Sequence, residues 1–145
     1  MTAVDFSEVA VSRGRETSDA VEFVVADVFN WEPDRSFDLV LISYLQVAEP
    51  ELRNVVVRAL EWLTPGGEIF LIGHDRSNIE KGYGGPQVPE ILWDVDAIVS
   101  WLHGLEMIES QVVRRPVEVE GEIRLARDTL VRARVVPGRM EPSLQ

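Results

Sequence analysis

An α/β fold built on a mostly parallel sheet is what this sequence predicts, and three observations predict it. Glu22–Asp27 and Phe37–Ser43 are short and almost wholly apolar, as strands covered on both faces should be. Between Pro50 and Leu63 the residues Leu52, Val55, Val56, Ala59, Leu60 and Leu63 recur at helical spacing, and another apolar run, Glu68–Gly73, follows directly. Two long β-rich segments then close the chain around Glu120-Gly121-Glu122 and should pair antiparallel.

The elements follow in order. Met1-Thr2-Ala3-Val4-Asp5-Phe6-Ser7 reads as a short strand ending in a carboxylate, the way a parallel sheet presents an acid to ribose hydroxyls. A glycine-rich turn normally precedes such a strand; none does here, so the first strand of such a domain is expected to be missing. Ser7 caps a helix to Arg15, with Glu8 in its first turn and Gly14 weakening its end. Thr64-Pro65-Gly66-Gly67 stops the Pro50–Leu63 helix and turns the chain into the Glu68–Gly73 strand. From His74 to Pro89 a loop rich in Gly and Pro is long enough to be a functional loop or lid. Asp94 caps a helix whose apolar face is Val95, Ile98, Val99 and Leu102, and Gly104 ends it. The last strands run from about Glu106 to Val119 and Arg124 to Val136. A single domain over 1–136 and a loose tail over 137–145 are expected.

Composition narrows the function. A formal charge of -11 and a pI near 4.6 oppose non-specific binding to nucleic acid or anionic lipid, leaving a small molecule as the expected partner. The chain has no cysteine, so disulfides and thiolate metal sites are excluded, and a reducing cytoplasm suits it. No apolar run approaches the roughly 18 to 20 residues that span a bilayer. Glu118, Glu120 and Glu122 surround a turn without a His nearby and suggest no metal site.

Val4-Asp5-Phe6-Ser7, Val25-Ala26-Asp27-Val28, Phe37-Asp38-Leu39-Val40 and Leu63-Thr64-Pro65-Gly66-Gly67, with the antiparallel pair at the end, together resemble the successive landmarks of class I S-adenosylmethionine-dependent methyltransferases. Gly73-His74-Asp75 and Gly82-Tyr83-Gly84-Gly85-Pro86-Gln87 resemble more narrowly a bacterial branch akin to tellurite-resistance and thiopurine-type methyltransferases. The resemblance implies a Rossmann-like sheet and S-adenosylmethionine as cofactor. It implies that Asp5, with Phe6 beside it, holds the ribose, and that Asp27 and Val28 meet the adenine amino group and ring. No residue here answers to the family's glycine-rich loop. Because that loop's strand lies between those at Ala3 and Phe37, either the two neighbours close up or a homodimer covers the gap.

Ser43 and Tyr44 sit where a parallel strand ends at the ligand-facing edge, so Ser43 is a cofactor candidate and Tyr44 either a catalytic residue or a core aromatic. His74 and Asp75 follow the next strand at the same edge: His74 would position a nucleophile or accept its proton, Asp75 would contact substrate, or both are structural. Tyr83 belongs to a substrate flap or a plain connector. Arg114-Arg115, Arg132 and Arg134 read as solvated strand faces, and the four tryptophans as packing or interface residues. Three readings compete: a methyltransferase acting on a small nucleophile, a non-catalytic remnant of that fold acting as an oligomeric binding protein, and a nicotinamide oxidoreductase. The antiparallel C-terminal pair favours the first lineage over the third.

Overall fold

The computed structural model describes residues 1–137, and their contacts divide into two compact units, the first spanning Met1–Asp34 and the second beginning at Arg35. The expected tail therefore lies outside the described residues save for Pro137.

In the first unit β1 (Thr2–Asp5) pairs parallel with β2 (Glu22–Val25), Asp5 opposite Val25. The crossover is α1 (Glu8–Thr17), started by Ser7, whose Oγ accepts from the Ala10 N–H at 3.2 Å. Gly14 does not mark the end of this helix, which continues to Thr17; a Cβ there would stand 2.4 Å from the Phe23 ring. The glycine lets α1 approach the strand.

The second unit is a four-stranded sheet in the order β3-β4-β6-β5. β3 (Phe37–Ser43) runs parallel to β4 (Leu63–His74), while β6 (Glu122–Arg134) pairs antiparallel with both β4 and β5 (Glu106–Val119). Between β3 and β4 lies α2 (Glu49–Glu61), where Glu51 reaches back to the Ala48 N–H at 3.1 Å and Leu52, Val55, Val56 and Ala59 are buried. β4 begins at once, at Leu63, so the Thr64–Gly67 stretch is strand from the outset, with Gly66 at φ 85°. The expected long loop is partly ordered into α3 (Asn78–Lys81) and a 3-10 turn over Pro89–Ile91. α4 (Val95–Trp101) is capped by Asp94, and Glu120-Gly121, both at positive φ, turn β5 into β6.

The alternation of strand side chains separates two faces of this sheet. Val40, Ile42, Ile69, Leu71, Val131 and Ala133 are buried on one, which also carries Gly73, packed so tightly on Trp93 that a Cβ would stand 2.6 Å from the indole. The other carries Leu39, Leu41, Glu68, Phe70, Ile72, His74, Asp128, Leu130, Arg132 and Arg134. There Leu39 and Leu41 are 58% and 56% exposed. β1 and β3 belong to two separate sheets.

Candidate functional site

In the first unit parallel pairing carries two predicted residues to one strand edge. The Ala26 N–H donates to the Asp5 carbonyl at 3.1 Å, so Asp27 follows close beside the end of β1. Asp5 Oδ1 accepts the Ser7 N–H at 2.7 Å, while Oδ2 takes no hydrogen bond among the described residues, and the carboxylate is exposed. Asp27 is more committed: Oδ1 accepts from the Phe29 N–H at 3.0 Å and Oδ2 from Asn30 Nδ2 at 3.1 Å, which shapes the turn after β2. Phe6 is 80% exposed and Val28 half-buried.

In the second unit Ser43 is exposed at the end of β3, and Tyr44 leaves the strand at φ 51°, in the left-handed region that costs a non-glycine residue about 1 kcal/mol or more. Its N–H is tied to the Ile72 carbonyl at 2.7 Å. The turn directs the ring to His74 at the end of β4, with centroids 4.9 Å apart and planes inclined by 55°. Two candidates distant in sequence thus meet.

What joins them is a residue the sequence reading passed over. Asp128, opposite His74 in the β4–β6 ladder, is fully buried. Its Oδ2 accepts from the Tyr44 hydroxyl at 2.9 Å and from Arg115 Nε at 2.7 Å, and its Oδ1 lies 3.3 Å from His74 Nδ1. The Arg115 guanidinium also stands 5.8 Å from the centre of the Tyr44 ring. Burial, reinforced by the hydrogen bond to Asp128 and its charge, pushes the Tyr44 hydroxyl above its ordinary range and keeps it a donor. The hydrogen bond to Asp128 likewise raises Arg115. Arg115 is therefore a partner of this carboxylate and not merely a solvated strand residue. Arg132 and Arg134 stay on a solvated strand face, where both pair with Glu68.

Asp75 is next to His74 in sequence but serves the opposite face. Its Oδ1 accepts from the Ser77 N–H at 2.8 Å and from the Ser77 hydroxyl, and its Oδ2 from Thr129 Oγ1 at 2.6 Å. With both oxygens occupied and 4% exposure, Asp75 anchors the loop after β4. It borders an open cleft of about 470 Å³ shared with Ser77, Glu80, Asp96 and Arg127. Buried Asn78 continues the anchoring: Oδ1 accepts from the Arg127 N–H at 2.7 Å and Nδ2 donates to the Gly84 carbonyl at 2.7 Å. That bond sets Gly85, at φ 74°, so that its Cβ position is 3.3 Å from His74 Nδ1 and Cε1. The glycine cluster therefore does lie over the imidazole, while Tyr83 is 41% exposed. Among the described residues no group of His, Asp and Glu is arranged to hold a metal ion.

Against known proteins, residues 1–67 match the family model described as a methyltransferase domain. The chain is 31% identical over 94 residues to thiocyanate methyltransferase 1 of Arabidopsis thaliana, a match covering 59% of this chain and 40% of that protein. The chain thus spans well under half the length of that relative. Among solved structures, TehB from Haemophilus influenzae superposes with a TM-score of 0.74 at 11% identity, covering 92% of this chain and 49% of that one. The N-methyltransferase NodS from Bradyrhizobium japonicum WM9, solved with S-adenosyl-L-homocysteine, gives 0.68 at 14% identity over 92% of this chain and 65% of that one. The fold is that of the class I S-adenosylmethionine-dependent methyltransferases. The match to the family model is confined to residues 1–67.

Proposed function

We propose that this chain takes part in S-adenosylmethionine-dependent methyl transfer to a small-molecule nucleophile. The observation that carries the reading is Asp5, an exposed carboxylate at the end of a parallel strand, with one oxygen fixed by a backbone N–H and the other unoccupied, as ribose recognition requires. Asp27 and Val28 border the same edge and suit the adenine, with Phe6 available as a further apolar wall. When bound, the cofactor would supply an electrophilic methyl group. In the second unit His74 and Tyr44 are the candidates to meet the methyl acceptor, and Gly85 packs beside His74. The relatives named above support the reading through their own activities.

Among the described residues no glycine-rich turn joins a buried strand to a helix in the manner that holds the methionine part of the cofactor. We therefore include a homodimer in the proposal, its copies associating along β3, where Leu39 and Leu41 are exposed. The cytoplasm is the proposed setting; no helix among the described residues is long and apolar enough to cross a membrane. The same missing turn favours, as second reading, a non-catalytic oligomeric binding protein. Calorimetric titration with S-adenosylmethionine separates the two. Micromolar affinity that Asp5→Ala weakens at least tenfold supports the first reading, and no heat at millimolar ligand supports the second. Light scattering should give a dimer mass; a monomer at every concentration removes the dimer.

A further inference from the structure

We infer that Asp128 fixes His74 as the tautomer protonated on Nδ1, leaving Nε2 a proton acceptor, and that the site thereby selects a neutral hydroxyl or thiol as methyl acceptor. The acceptor class rests on the methyltransferase reading; the tautomer does not. Arg115 Nε and the Tyr44 hydroxyl both donate to Asp128 Oδ2, so this carboxylate acts only as an acceptor. Its Oδ1, 3.3 Å from His74 Nδ1, is then satisfied by a hydrogen on that nitrogen. The opposite ring nitrogen takes no hydrogen bond among the described residues, and 15% of the side chain is exposed, so of the two ring nitrogens Nε2 is the one without a protein partner. The left-handed turn at Tyr44 and the close pass of Gly85 hold the phenol and the imidazole in this relation.

Charge argues for the acceptor class. Arg115 is paired with Asp128 and the phenol keeps its proton, so the arginine charge is already spent and is not offered to an anionic acceptor. A preformed anion also gains nothing from a proton acceptor, whereas a neutral X–H group needs one. In the balanced step the X–H proton passes to Nε2 as the bond from X to the methyl carbon forms. The sulfur–methyl bond breaks with its electron pair on sulfur, and the imidazolium, paired with Asp128, returns its proton to water. Asp128 is thus a positioning residue, acting through His74.

The chain has only two histidines, so His103→Gln, at an exposed position, leaves His74 as the sole imidazole for nitrogen–proton correlation spectroscopy. The expected spectrum at neutral pH shows a protonated Nδ1 and a bare Nε2. A ring protonated on Nε2, or on both nitrogens, overturns the inference. Asp128→Asn should turn an amide nitrogen toward the ring and move the proton to Nε2, the outcome known for the equivalent change in serine-protease triads. Phenol added to the donor-free chain should shift the Nε2 resonance while sodium thiocyanate leaves it in place; the reverse result refutes the acceptor class. In turnover, Asp128→Asn should slow transfer to a neutral thiol by roughly 100- to 10,000-fold more than transfer to thiocyanate, and equal losses would refute that class too. A chain that binds no S-adenosylmethionine yet shows the Nδ1–H ring overturns the methyltransferase reading and bears out the role of Asp128.

Discussion

Two carboxylates occupy the same sheet face at opposite ends of the β4–β6 ladder, and each is met by arginine. Glu68, partly exposed, is held by Arg132 and Arg134 at 2.6 Å each, a pairing that water and salt can reach. Asp128 is fully buried and has one arginine, made up to a set of three partners by a phenol and an imidazole. Burying a carboxylate costs several kcal/mol before any partner is counted, and an apolar residue would fill the same space without that cost. The difference teaches where to look for function: the solvent-reachable pair joins strands, whereas the buried carboxylate is retained at a candidate site where it orients two reactive side chains.

The contrast is open to attack. Its largest consequence is that Asp128→Ala should cost about 3–5 kcal/mol in urea unfolding, because it strands three polar groups around an empty site; a loss no greater than that of Glu68→Gln would erase the distinction. Next, Tyr44→Phe removes one hydrogen bond to a charged acceptor and should cost about 1.5 kcal/mol, the low end for such bonds since the ring is only half-buried. Tyr44 also gives the contrast a pH signature. Its hydroxyl is raised above the ordinary 10.0, so the folded state holds that proton more tightly. The associated stability is complete below pH 10 and is lost as pH rises through the shifted value. Melting curves at alkaline pH should show this loss in the wild type and not in Tyr44→Phe. The smallest effect belongs to Glu68. Hydrogen bonds from Arg134 and Arg132 hold it below the ordinary 4.5, so its contribution is present above that pH and disappears as the carboxylate takes up its proton in more acid solution. Wild type and Glu68→Gln should therefore converge in melting temperature at low pH, and high salt should narrow their difference near neutrality.

Much of this was legible in the sequence, for local reasons. The caps Ser7 and Asp94, the apolar stripe of α2 and the extent of β3 depend on neighbours within a few residues. Tyr44 and His74 could be proposed because the ends of parallel strands converge on one edge. Asp128 and Arg115 escaped notice because their meeting depends on the register of a long hairpin, and each stands in a stretch whose alternation reads as a solvent-facing row. Asp128 shares the parity of Leu130, Arg132 and Arg134, so the alternation itself pointed it toward solvent. Gly14 misled for a related reason. Its need for space comes from Phe23, beyond the helix, and looked at in its own segment it resembles a weak point.

Asn78 carries a consequence for chemical ageing. One amide binds the sheet through its oxygen and the Gly84 turn through its nitrogen. Deamidation there would set a carboxylate oxygen against the Gly84 carbonyl, acceptor against acceptor, and the turn over His74 would loosen while the strands beneath stayed intact. An aged sample would then keep its circular-dichroism spectrum while its melting temperature fell and hydrogen exchange quickened around Gly84 and Gly85.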